Sequence, residues 1–176
     1  GAWAHKQVEF VDMPFGSLLP SLNGGKIDFI TATLAITEER MKEIDFSDPY
    51  YSSGVSIIGR KNADIKSQPG KMAVLDDISD KKVGIFTGTV HDAYMAATYP
   101  KATVLRYESS ADMLMSLKSG KIDLAMFDKI TAGLVLKRNP DLGLLTADVL
   151  DMSLGVGFNK ENTDLLNEFN SFLKEI

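Results

Sequence analysis

The chain has 176 residues, 44% hydrophobic and 24% charged, which excludes a disordered or low-complexity polypeptide. Nineteen basic against 24 acidic residues give a net charge of −5, which argues against a nucleic-acid-binding face; zero Cys removes disulfides, Cys-ligated zinc and thiol nucleophiles. The two His, His5 and His91, lie too far apart in sequence to read as a metal pair, no apolar run approaches the roughly 18 residues of a membrane span, and small-molecule binding survives this filter best.

Val8 to Met13 alternates as a strand does. Phe15 to Leu22 reads as a turn and short helix ended by Asn23-Gly24-Gly25, and Ile27 to Leu34 as a strand buried on both faces. Thr37 is an N-cap with Glu38 and Glu39 in the first turn behind it. After Pro49, Val55 to Ile58 is a strand, and Gly59 to Gly70 is loop-like and charged. A second series begins at Lys82: strand Val83 to Phe86, turn Thr87-Gly88-Thr89, helix Val90 to Ala97 and strand Val104 to Tyr107. Ser110 caps a helix carrying Leu114 and Leu117 on one face. Strand Ile122 to Phe127, helix Ile130 to Lys137 and extended Ser153 to Phe158 follow. The last helix, after Asn162-Thr163, places Leu165, Leu166, Phe169, Phe172 and Leu173 on one side. Alternating strands and helices predict an α/β protein with mostly parallel sheets.

One segment recurs. Leu22-x-x-Gly25-Lys26-Ile27-Asp28-Phe29 returns as Leu117-x-x-Gly120-Lys121-Ile122-Asp123-Leu124. The spacing suits either two lobes built to one plan or a common helix-Gly-strand junction. Five positions beyond each aspartate stands a polar residue, Thr33 in the first copy and Asp128 in the second. Ligands of open α/β sheets bind outside the carboxyl ends of the strands.

Arg40, in the first turn after Thr37, either clamps a carboxylate bidentately or pairs on the surface with Glu39 or Glu43. Gly88 allows close backbone approach, and the amides of Thr89 and Val90 then face an anion; no Gly-Lys-Ser/Thr is present, so a nucleotide phosphate is not indicated. Asp128 ends an apolar run and either caps the next helix or binds a cation. Phe15 is either core or a platform for a ligand.

Phe15-Gly16-Ser17-Leu18-Leu19-Pro20-Ser21-Leu22, Gly25-Lys26-Ile27-Asp28, Thr37-Glu38-Glu39-Arg40 and Asp45-Phe46-Ser47-Asp48-Pro49-Tyr50-Tyr51 occur in one stretch. Lys82-Val83-Gly84, Gly88-Thr89, Gly120-Lys121-Ile122-Asp123 and Asp128 follow in order. In these fragments the chain resembles the family 3 bacterial extracellular solute-binding proteins, periplasmic receptors for polar amino acids. The resemblance implies a periplasmic-binding-protein-like type II fold, two α/β lobes joined by two crossing strands. Lobe one would be residues 1–52 and 155–176, lobe two 53–154. It also implies that Arg40 holds the ligand α-carboxylate, with backbone amides near Ala35 and at Thr89 and Val90. Asp128 would accept the α-ammonium and Phe15 would stack on the ligand. Ala35 stands where the family usually carries a hydroxyl, for which Thr33 is the substitute, and Phe86 replaces a usual polar residue.

The opening and closing segments of such proteins are not in this sequence, so lobe one is expected to be incomplete. The implied function is capture of a polar L-amino acid for an ABC-type importer, at the periplasmic or extracellular face of the membrane. The macromolecular partner would be a permease or a sensor. No catalytic residue, metal or cofactor is assigned. The alternatives are a sensory or regulatory domain of a larger membrane protein and an enzyme like the cyclohexadienyl dehydratases on the same scaffold.

Overall fold

The computed structural model describes residues 6–62 and 78–176. In chain order the helices are α1 (Leu18–Asn23), α2 (Glu38–Glu43), α3 (Val90–Thr98), α4 (Ser110–Lys118), α5 (Lys129–Arg138) and α6 (Thr163–Leu173). The strands are β1 (Phe29–Ile30), β2 (Asp45–Phe46), β3 (Tyr51–Arg60), β4 (Lys82–Phe86), β5 (Thr103–Tyr107), β6 (Leu124–Asp128), β7 (Leu142–Thr146), β8 (Asp151–Leu154) and β9 (Gly157–Phe158). The chain divides into two compact units, Gly1–Ser52 with Ser153–Ile176, and Ser53–Met152. The backbone therefore passes from one unit to the other twice.

In the first unit β9 lies between β1 and β2, antiparallel to both, with Phe158 opposite Phe29 and Asp45. Leu18 and Leu22 of α1 pack with Ile30, Leu34 and Ile44. Phe158 is buried, and its ring lies 5.5 Å from Phe169 of α6, which brings the apolar stripe of that helix onto the sheet. Buried Ser47 fastens the segment after β2: its hydroxyl accepts the Val156 amide at 3.0 Å and donates to the Asp48 carbonyl at 2.8 Å.

The second unit holds the larger sheet, ordered β5-β4-β6-β3-β7, with β8 also pairing with β3. β4 runs parallel to β5 and β6, whereas β3 is antiparallel to β6 and β7. Leu124–Phe127, parallel to β4 on one side and antiparallel to β3 on the other, is buried throughout, as a central strand covered on both faces must be. Met113 and Leu117 of α4 and Ala132 and Val135 of α5 close over Ile58, Ile122, Ala125 and Phe127. Each of the Met, Leu, Val, Ile and Phe side chains among them contributes about 1.5–3 kcal/mol by leaving water, the two alanines less.

The repeated segment has the same local geometry in both units. Gly25 after α1 and Gly120 after α4 have φ of 67° and 80°, the left-handed region that a side chain disfavours. In the second unit the Asp123 carboxylate accepts the Lys82 amide at 2.9 Å, and Arg60 reaches across from β3 to donate to the Leu117 and Ile122 carbonyls.

Several expectations are corrected. Val8–Met13 forms no strand: no described strand pairs with it, and Phe10 is 84% exposed. The strand expected over Ile27–Leu34 shrinks to Phe29–Ile30, because its partner β9 is two residues long and the chain turns at Thr33. Sheets are not mostly parallel in the first unit, where all pairings named above are antiparallel. Ser109, not Ser110, caps α4, accepting the Asp112 amide at 3.2 Å. Gly59 and Arg60 belong to β3 rather than to a loop, and residues 63–70 of that loop lie outside the described residues. β2 and β7 were not expected.

Candidate functional site

In the first unit the extended backbone of Thr37 starts α2, and its hydroxyl accepts the Arg40 amide at 3.2 Å. That cap places Arg40 in the first helical turn with its side chain turned back along the chain. Nη1 donates to the Ala35 carbonyl at 2.8 Å, and the guanidinium carbon lies 5.4 Å from the centroid of the Phe15 ring. Cation–π contact and a carbonyl acceptor together fix the plane of the fork. Partial burial pulls the Arg40 pKa down, with Glu39 opposing, and the group stays a cation with donors suited to a carboxylate.

Ala35 itself is buried and bridges Leu154, while the neighbouring Ile36 amide donates to the Ser153 carbonyl at 2.9 Å. The carbonyl that holds Arg40 is thus clamped on both sides. Thr33, two residues earlier, is exposed and has φ of 47°, a strained conformation for a β-branched residue. Phe15, Ala35 and Arg40 gather at one place in this unit; Thr33 lies beside them in sequence.

In the second unit the parallel strands end together. Phe86 is opposite Tyr107, and Asp128 closes β6, so all three stand at the carboxyl edge of the sheet. Gly88 has φ of 73°, which lets the chain turn sharply from β4 into α3. Thr89 sits at the N-cap, but its hydroxyl donates backward to the Phe86 carbonyl at 2.8 Å rather than capping the helix. The first amides of α3, beginning at Val90, have no acceptor within their own helix and carry the positive end of its dipole.

Asp128 also occupies an N-cap position, that of α5, without a side-chain cap hydrogen bond. Its side chain is 25% exposed, and desolvation raises its pKa above the ordinary carboxylate value. The Nε2 of His91, in the first turn of α3, lies 4.0 Å from Oδ1 of Asp128. His91 is 2% exposed and had no role assigned from the sequence; its position three residues beyond Gly88 was the available signal. Phe86 packs edge-on against Phe127, ring centroids 5.7 Å apart, and so adjoins the core cluster. Thr89, Val90 and Asp128 thus share one sheet edge in the second unit. No group of three or more His, Cys, Asp or Glu among the described residues could hold a metal ion.

Comparison with known proteins adds a second line of evidence. The family model for bacterial extracellular solute-binding proteins, family 3, matches residues 2–176. The chain is 31% identical over 172 residues to ABC transporter arginine-binding protein 1 of Escherichia coli K12, covering 95% of this chain and 68% of that protein. Its fold is similar to that of holo ArgBP from T. maritima, with a TM-score of 0.88 and 36% identity over 95% of this chain and 71% of the other. An ancestral amino acid-binding protein, a precursor of cyclohexadienyl dehydratase, is also similar, with a TM-score of 0.85 and 30% identity over 99% of this chain and 73% of the other. The chain spans about two-thirds of the length of the E. coli relative.

Proposed function

Because the chain belongs to the family 3 bacterial extracellular solute-binding proteins, we propose that it captures a polar L-amino acid. Arg40 takes the α-carboxylate and Asp128 the α-ammonium. Thr33 and the backbone around Ala35 assist at the carboxylate, as do the Thr89 and Val90 amides, and Phe15 stacks on the ligand. The observation that carries this reading is the setting of Arg40, a partly buried cation oriented by the Ala35 carbonyl and the Phe15 ring. A zwitterion loses hydration on binding, and only groups of opposite charge at both ends make that loss tolerable.

The role is binding rather than catalysis, on the extracytoplasmic side, in partnership with a membrane permease or a sensor. No helix among the described residues is long and apolar enough to cross a membrane. Arginine is the first ligand to test, since two of the similar proteins bind it by name. Calorimetric titration with arginine should give binding that Arg40→Ala weakens by about 3–5 kcal/mol, because a buried carboxylate loses its partner. A loss below about 1 kcal/mol removes Arg40 from the site.

An enzymatic role is the second reading, favoured by the raised pKa of Asp128, which suits a proton donor. An absorbance assay for consumption of an aromatic keto acid tests it, and an unchanged spectrum rejects it.

A further inference from the structure

The buried imidazole beside Asp128 has no part in the reading above. Its Nε2 is 4.0 Å from Oδ1, too long for a hydrogen bond yet close enough that a proton on the ring would create an ion pair. We propose that His91 is a proton-linked competitor of the ligand for Asp128: the imidazolium takes the carboxylate that the ammonium of the ligand needs. This inference rests on the reading of Asp128 as the ammonium acceptor.

Asp128 is the carboxylate that stands 4.0 Å from the ring, and the other charged groups described around it have these partners. On α3 itself, Asp92 is engaged two-pronged by Arg106 of β5, at 2.7 and 2.9 Å. Lys129, next to Asp128, reaches Asp148 at 2.9 Å. Tyr94 and Tyr99 face each other, with ring centroids 6.2 Å apart. On β3 the residue opposite Asp128 is Val55, which is apolar, and Arg60 is committed near Asp123 at the other end of the strand. On β4, Lys82 starts the strand, four residues before the Phe86 end, and Tyr107 of β5 contributes a buried neutral hydroxyl.

Imidazole has an ordinary pKa of about 6.5, so it changes charge in the mildly acid range. At His91, burial and the positive end of α3 oppose the cation, whereas the Asp128 carboxylate supports it. Binding of an ammonium at Asp128 withdraws that support and repels the second positive charge. Ligand and proton therefore exclude each other, and the exclusion is reciprocal. Neutral pH favours capture, and mild acid favours release.

The test is arginine calorimetry on the full chain, repeated in buffers of different ionisation enthalpy. From about pH 7.5 to about pH 5.5 the wild type should lose about tenfold in affinity and release a proton on binding, and His91→Gln should lose less than about twofold over the same range. A variant that keeps the wild-type slope and proton release overturns the role of His91 alone. An Asp128→Asn variant binding arginine as tightly as wild type at about pH 7.5 overturns the reading of Asp128 instead. Nuclear magnetic resonance titration of the imidazoles needs no ligand, and with two histidines in the sequence both signals are assignable. The midpoint of His91 should fall when Asp128 becomes Asn; identical midpoints overturn the pairing.

Discussion

At residue scale, partial burial acts differently on two charges. Arg40 remains charged because a guanidinium holds its proton even when desolvated, and it gains the Ala35 carbonyl and the Phe15 face in return. Asp128 gains less, so its pKa rises, and desolvation is the leading cause. A raised pKa means that Asp128 supports folding below the ordinary carboxylate range and loses that support as pH rises through its raised value. Asp128→Asn should therefore melt higher than wild type at neutral pH, on the order of a few degrees, while amino-acid binding falls. The gain should vanish near pH 3, where both side chains are neutral. Scanning calorimetry at the two pH values checks this, and equal melting temperatures at neutral pH contradict the desolvation argument.

At the scale of elements, the helix-Gly-strand junction is the clearest case of structure written in sequence. Gly25 and Gly120 take the left-handed conformation at matching places in the two units. A methyl group at Gly25 meets no other atom within 4 Å, and at Gly120 it makes ordinary contact with Arg60. The cost of alanine is then conformational at both, about 1 kcal/mol each in denaturant unfolding. Loss at one position and none at the other would break the parallel. Helices were legible because caps and apolar spacing are local: Thr37 caps α2 as its chemistry requires. Strands were less so, because a strand exists only where a partner runs beside it. Val8–Met13 has the right alternation and no partner among the described strands, whereas Leu142–Thr146 lacks alternation but finds β3. The site divided in the same way. Spacing alone left Arg40 open between a surface pair and a clamp and Asp128 between a cap and a cation site, and only the family resemblance singled them out, whereas His91 became visible only when α3 folded its first turn against the end of β6.

At the scale of the whole molecule, the chain belongs to a family of extracellular solute-binding proteins, and its two units are linked by two passages of backbone. The central claim is that Arg40 reads the carboxylate and Asp128 the ammonium. It is tested most directly by calorimetry with arginine, its methyl ester and its analogue lacking the α-amino group, each titrated into wild type, Arg40→Ala and Asp128→Asn. In wild type both modified ligands should bind at least about tenfold more weakly than arginine. Arg40→Ala should abolish the penalty for the ester alone, and Asp128→Asn the penalty for the missing amine alone. Penalties that persist unchanged in both variants would contradict the account.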